Sequence, residues 1–330
     1  MRSSVIRRAP STWPLWPLVA FLAVFLVYPV VQVLSVSAAD GEGSPSLVHY
    51  ARLFSSSVYL RVLATTFEIS AWTTVLCVLI GYPVAYLLAN ASNRRRGLLA
   101  VFVLLPFWTS FLVRTFAWII LLGRQGLLNT LFLDLGLTEK ALPLMYNYGG
   151  VLVGMTHALL PIAILTMSSV MEGIPGDLTR AAGTMGARPA EAFLRVYLPL
   201  SMPGVAAAGL TVFITALGFF ITPALLGGPR ETMISQVIID NVQGLLNWGF
   251  AGALAMLLLV ATLVVFVVYD RLVGLSTLSG ERRHVPVKAG SGRVMLRVRM
   301  RNSVVLSFST TVCAGRPSLR AACQLRAAMR

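Results

Sequence analysis

The sequence predicts an all-α integral membrane protein with about six transmembrane helices. The chain is 57% hydrophobic and only 12% charged, about half the charge a soluble domain of this size carries on its surface. Several uninterrupted apolar runs exceed the ~18 residues at which a spanning helix becomes the default reading. A membrane β-barrel would alternate apolar and polar residues over ~10-residue segments, whereas the runs here are continuous.

The first predicted span covers residues 14–36, behind a basic start containing Arg2, Arg7 and Arg8. A cleaved signal peptide has a similar layout, but its apolar region is ~7–15 residues and this run is longer, so an uncleaved span is expected. A polar stretch over 38–60 separates it from a second span at 62–90. Arg94, Arg95 and Arg96 fill a short loop, and a third span follows at 98–122. After a mixed connection over 123–148 come a fourth span at 149–170, a charged segment at 171–202, and a fifth span at 203–226. A polar stretch at 227–248 leads to the sixth span, 249–269. Short loops rich in Arg and Lys stay in the cytoplasm. The arginine cluster at 94–96 therefore places both termini and the 171–202 segment inside.

The formal net charge of +15 is concentrated at one end. Residues 281–330 hold eleven Arg and Lys against one acid, Glu281, which accounts for +10 and leaves +5 for the membrane body. Basic charge beside a bilayer sets orientation or touches anionic lipid. No nucleic-acid-binding module accompanies it, so membrane lipid is the expected partner and nucleic acid is not. The resulting division is a basic cytoplasmic N-terminus (1–13), a transmembrane domain (14–275), and a basic cytoplasmic tail (276–330) expected to be disordered. Cys77 lies in an apolar run and Cys313 and Cys323 in the tail. They form no paired framework and no metal-ligand spacing, and no cofactor is called for.

The segment 171–202 carries the most specific pattern. Glu172-Gly173-Ile174-Pro175-Gly176-Asp177 reads as a turn followed by a helix start. Leu178, Ala181, Ala182 and Met185 then recur at i, i+3, i+4 and i+7, one face of a two-turn helix. Arg188-Pro189 restarts a helix with proline in its first turn, Phe193, Val196 and Tyr197 form its apolar face, and Leu198-Pro199 is expected to end it. Such a helix–turn–helix has no catalytic groups. It suits docking into a partner's groove or lying on the lipid headgroups.

The stretch Arg180-Ala181-Ala182-Gly183-Thr184-Met185-Gly186, nine residues, then Val196-Tyr197-Leu198-Pro199 resembles the "EAA" loop of ABC importer permeases. That pattern reads Glu-Ala-Ala, three residues, Gly, nine residues, Ile, any residue, Leu-Pro. Gly81-Tyr82-Pro83-Val84-Ala85-Tyr86 is similar to another string of the family. Two further strings are similar to the spermidine/putrescine permeases in particular: Leu105 to Thr115 and Ala216 to Gly228. Asn247-Trp248 fits as well. The resemblance covers roughly residues 15–275 and implies the type I (MetI-like) permease architecture in a bacterial inner membrane. It implies an ABC ATPase in two copies, a second homologous permease and a periplasmic substrate-binding protein as partners. It also implies that Asp177, Arg180, Ala181, Ala182, Gly186, Leu198 and Pro199 belong to the ATPase-coupling loop. In one respect the sequence departs from the pattern: Arg180 stands where the family has Glu. Either Asp177, one turn earlier, serves instead, or the ATPase carries a matching acidic change, or coupling is weakened.

An ATP site is absent from the sequence. A Walker A loop needs Gly-x-x-x-x-Gly-Lys-Ser/Thr, and the only two lysines, Lys140 and Lys288, do not follow glycine. ATP hydrolysis must therefore come from a separate subunit. Ionisable residues inside spans are costly and mark sites: Glu68, Arg114 and His157. Glu68 could meet an ammonium group of a cationic substrate or pair with Arg61. Arg114 is expected at a broken helix with a structural partner, and His157 as a hydrogen-bonded packing residue. Trp72, Trp108, Phe219 and Phe220 could line a pathway through cation–π contact or simply pack. Iron(III), thiamine, opine and amino-acid-like permeases share much of these strings and give the alternative substrates. An ion-driven secondary carrier would need mid-membrane carboxylates and repeated halves, and a non-transport scaffold would not need the loop's spacing.

Overall fold

The computed structural model describes residues 16–39 and 44–271, together with the backbone of 284–289 and 292–297. The basic N-terminus, residues 40–43 and the remainder of the tail, including Cys313 and Cys323, lie outside the described residues. In chain order the helices are α1 (Trp16–Leu22), α2 (Tyr28–Ser37), α3 (Val48–Ser55), α4 (Ser57–Asn90), α5 (Asn93–Trp108), α6 (Phe111–Leu122) and α7 (Leu127–Asp134). They continue with α8 (Tyr148–Met171), α9 (Gly176–Thr184), α10 (Pro189–Ala192), α11 (Leu198–Leu217), α12 (Ile221–Leu226), α13 (Ile234–Gln243) and α14 (Trp248–Tyr269). Six helical stretches are long and apolar enough to cross a membrane: Trp16–Ser37, Ser57–Asn90, Phe111–Asp134, Tyr148–Met171, Pro189–Leu217 and Trp248–Tyr269. The all-α membrane fold is thus the fold observed. The chain divides into two compact units, residues 1–168 with 204–268 and residues 169–203 with 269–330.

In the first unit, α8 is the most enclosed span. The buried face of α4 is a stripe of mostly small residues, Thr66, Ile69, Ser70, Thr73, Cys77, Gly81, Ala85 and Leu88. Small side chains allow close helix approach where lipid offers no hydrophobic drive to associate. At Gly81 an added Cβ would sit 3.0 Å from Met167 Cε and 3.3 Å from Ile164 on α8, and the Cys77 thiol donates to the Thr156 carbonyl at 3.5 Å. On another face of α8, Gly154 admits Leu226 and Thr222 of α12. A second apolar cluster joins Leu53, Ile234, Phe250 and Leu254, and the Ile234 N–H donates to Thr66 Oγ1 at 2.9 Å, tying α13 to α4. The first span stays largely exposed. It touches the bundle near its end, where Ser37 meets the Tyr50 hydroxyl at 2.9 Å and Gly252 of α14 abuts Val33.

Four expectations change. The loop at 92–97 is shorter than expected, because Arg94–Arg96 lie in the first turns of α5. The third span is not one helix: α5 ends at Trp108, Thr109 and Ser110 are extended, and α6 begins afresh. Pro106 weakens the ladder here, and the Thr109 hydroxyl donates to the Pro106 carbonyl at 2.7 Å, a local bond that competes with helix. The fifth span likewise breaks at Gly218–Phe220 between α11 and α12.

Finally, Leu198-Pro199 does not end its helix. A π-helical turn, Phe193–Tyr197, runs into α11, and the Leu198 N–H bonds back to the Phe193 carbonyl. The same device precedes Pro29, where Ala23–Val27 is π-helical and the Tyr28 N–H bonds to Ala23. Widening the turn just before a proline shifts the carbonyl its ring would otherwise strike.

Of the tail, the described residues are an antiparallel backbone pair, β1 (His284–Ala289) with β2 (Gly292–Arg297), in register from His284↔Arg297 to Ala289↔Gly292. Val285, Val287 and Val294 favour extended backbone.

Candidate functional site: the loop and two broken helices

The 169–203 segment folds as α9, a tight turn, α10 and the π-helical turn. The turn has the hydrogen bonds of a Schellman cap: the Ala187 N–H donates to the Ala182 carbonyl at 3.1 Å and the Gly186 N–H to the Gly183 carbonyl at 3.0 Å. Gly186 has φ +90, and a Cβ added there would meet nothing within 4 Å. Its glycine is required by the backbone conformation that closes α9 rather than by a tight contact among the described residues. Behind the turn, Glu191 accepts the Arg188 N–H at 3.2 Å and starts α10. Phe193 and Tyr197 stack at 5.8 Å.

Of the loop residues singled out, Ala181 is exposed, Ala182 half-buried, Leu198 half-buried and Pro199 exposed. Arg180 pairs with Asp177 at 3.6 Å, both side chains almost wholly exposed. The reversed charge at 180 is thus balanced within its own helix, by the acid one turn earlier. Met185 is 82% exposed and Leu178 and Leu194 are exposed too, so the segment offers apolar side chains and a neutralised ion pair.

The two helix breaks of the first unit meet. Phe111, which opens α6, packs edge-on against Phe219 in the α11–α12 break with ring centroids 5.4 Å apart. One turn along α6, the Thr115 hydroxyl meets that of Thr222 at 3.2 Å. Arg114 sits buried between them with its charge directed at carbonyls. It donates to Pro106 and Thr109 at the end of α5 and to Ala158 of α8, the last two at 3.0 and 3.5 Å. Its guanidinium also lies 5.2 Å from the Phe111 ring centre. The end of α5 leaves carbonyls without intrahelical partners and carries the negative end of the helix dipole. A guanidinium fork satisfies several of them at once. The opposite break is held by Ser235, whose hydroxyl donates to the Phe219 carbonyl at 2.7 Å. Irregular backbone at this depth survives only where protein or a water-filled path satisfies it.

Trp108, the last residue of α5, is 86% exposed, and Phe219 and Phe220 are half-buried. These three therefore border the paired breaks. Glu68 does not join them. It is exposed on α4 and accepts a hydrogen bond from the Tyr148 hydroxyl at 3.2 Å. Tyr148 and Ala158 are ten residues apart on α8, so Glu68 and Arg114 contact that helix about 15 Å apart along its axis. Among the described residues Glu68 makes no ion pair with Arg61. His157 accepts a hydrogen bond from the Trp118 indole at 3.1 Å. The parts missed from the sequence are Ser235 and Tyr148, and the pairing of Phe111 with Phe219 and of Thr115 with Thr222, all four of which lie within the two similar strings. Each acts through a partner distant in the chain, which no local pattern announces. No group of three or more His, Cys, Asp or Glu positioned for a metal occurs among the described residues.

Residues 78–275 match the family model described as a binding-protein-dependent transport system inner membrane component. The chain is 34% identical over 244 residues to the spermidine/putrescine transport system permease protein PotB of Haemophilus influenzae, covering 72% of this chain and 85% of that one. It is 31% identical over 226 residues to PotB of Escherichia coli K12, covering 68% and 82%. In fold it is similar to a bacterial alginate ABC transporter, solved in complex with an alginate pentasaccharide-bound periplasmic protein, with a TM-score of 0.65, 18% identity, and 82% and 97% of the two chains covered. The chain belongs to the family of binding-protein-dependent transport system inner membrane components: it is a multi-pass inner-membrane permease subunit of an ABC importer, and ATP hydrolysis belongs to a separate subunit.

Proposed function

We propose that this permease translocates polyamines of the spermidine/putrescine class, delivered by a periplasmic binding protein. The observation that carries the reading is the 31–34% identity to the PotB permeases over more than two thirds of the chain. The chemistry of the paired breaks supports it. Trp108, Phe219 and Phe220 offer aromatic faces beside the breaks, and aromatic faces attract ammonium groups. Glu68 supplies a carboxylate on the same chain. Because a single acid is little for a di- or trication, a second homologous permease supplies the rest of the pathway.

The 171–202 loop is the contact to the ATPase, of which two copies serve the permease pair. Asp177, Arg180, Ala181, Ala182 and Gly186 present α9 to a cleft of that subunit, and Leu198 and Pro199 carry its motion into α11 through the π-helical turn. ATP binding clamps the ATPases together, and the loop turns the permease outward; nucleotide and loaded binding protein bias a two-state equilibrium. With Arg180 and Asp177 paired on one helix, the cleft needs no compensating acid. Both termini and the loop are cytoplasmic.

Copurification and topology test this reading together. The chain should bring down an ABC ATPase, and reporters fused at Arg96 and Ala190 should read as cytoplasmic while one at Asp240 reads as external. An external signal at Ala190 would overturn the coupling assignment.

A further inference from the structure

We propose that Glu68, Tyr148 and Trp72 form an ammonium-binding subsite at the outer mouth of the pathway, taking one terminal amine of a linear polyamine as it leaves the binding protein. The inference rests on the polyamine reading and adds to it a site and its occupant. Glu68 is the last charged residue before an uncharged run, 69–93, that ends at the arginine cluster 94–96. That run is long enough for a ~30 Å hydrocarbon core, so Glu68 stands at its outer edge in the cytoplasmic-termini orientation. The carboxylate is exposed, and one oxygen is held at 3.2 Å by the Tyr148 hydroxyl. The other oxygen has no partner among the described residues. The cation nearest in sequence, Arg61, is seven residues away on the same helix and makes no ion pair with it. The negative charge is therefore fixed in place but unneutralised.

Trp72 lies four residues further in, on the same face of α4, and is 52% exposed. A carboxylate oriented by a phenol, with an indole face one turn deeper, offers a primary ammonium an ion pair and then a cation–π contact. Neither α4 nor α8 needs these groups for packing. The buried faces of α4 run through Thr66, Ile69, Ser70 and Thr73, and those of α8 through Val151, Met155, Ala158 and Leu159. Tyr148 is a positioning residue here: it acts through Glu68.

The test uses the complete importer in proteoliposomes with saturating polyamine-loaded binding protein, measuring labelled putrescine uptake and ATP hydrolysis together. Glu68→Gln should lower uptake per ATP hydrolysed by about tenfold, and Trp72→Leu by somewhat less, as expected for loss of one ion pair or one cation–π contact. ATPase stimulation should stay near wild type. Glu68→Asp should restore part of the loss, and Tyr148→Phe should give a smaller defect that vanishes in the Glu68→Gln background. Unchanged uptake per ATP in Glu68→Gln and Trp72→Leu overturns the subsite and leaves the polyamine reading intact. Parallel loss of uptake and ATPase activity in Glu68→Gln marks a structural residue and also overturns it. A wild-type complex that hydrolyses ATP but takes up neither putrescine nor spermidine overturns the polyamine reading, and the subsite with it.

Discussion

Arg114 Nη2 donates to the carbonyl oxygen of Thr109 at 3.0 Å, across the point where α5 gives way to α6. The same nitrogen also reaches the Pro106 carbonyl. A buried cation in a membrane helix is expensive unless paired, and here backbone dipoles at a helix end do the pairing. Arg114→Lys keeps the charge but loses the fork. It should leave at least one carbonyl unsatisfied and destabilise the first unit by about 1–3 kcal/mol. Thermal unfolding of the purified complex in detergent measures this, and Arg114→Met should be worse than Lys. An unfolding temperature equal to wild type for both variants would mean the break is held by something else.

Gly186 should tolerate no other residue without cost, although the space around it is open. Its φ of +90 lies where an L side chain costs about 1–2 kcal/mol. Gly183, three residues earlier inside α9, is equally open and carries no such φ. Gly186→Val should therefore weaken ATPase recruitment and transport while membrane insertion persists. Gly183→Ala should leave recruitment near wild type. The comparison is made by copurification of the ATPase at matched permease levels; equal recruitment by both variants would remove the cap from the coupling account.

Much of this is legible in the sequence. The apolar runs located six spans because a ~30 Å core demands about 20 apolar residues whatever the tertiary packing. The loop was readable because its glycine and proline spacing reflects local backbone needs, a Schellman cap and a proline-initiated helix. The breaks were only partly so. A broken helix was expected at Arg114, but between Pro106 and Phe111 the chain stays apolar enough to pass as continuous, and Thr109's bond to Pro106 and Arg114's fork fix where it interrupts. Pro199 misled in the opposite sense: a proline normally stops a helix, but the π-helical turn at Phe193–Tyr197 absorbs it. For Glu68 the sequence offered Arg61 as a neighbour, while the actual partner, Tyr148, lies 80 residues on. Contacts of that separation leave no local signature.

The tail should be dispensable. The family match ends at residue 275, and the described spans are complete by Tyr269. A chain truncated after Gly280 should insert and transport within about twofold of wild type, since surface basic segments contribute through weak, screened charge. Uptake at matched expression measures this. Abolished uptake would give the β1–β2 hairpin or the residues around it a role in transport.

The most direct measurement is accumulation of labelled spermidine in proteoliposomes holding this chain, its partner permease and the ATPase, with loaded binding protein outside the membrane and ATP enclosed on the ATPase side. The account predicts accumulation that requires ATP and the binding protein and is indifferent to proton or sodium gradients. Accumulation driven by an ion gradient without ATP would contradict the ABC mechanism. Robust ATP-driven uptake of iron(III), thiamine or another solute, with none of spermidine or putrescine, would contradict the substrate and leave the permease standing.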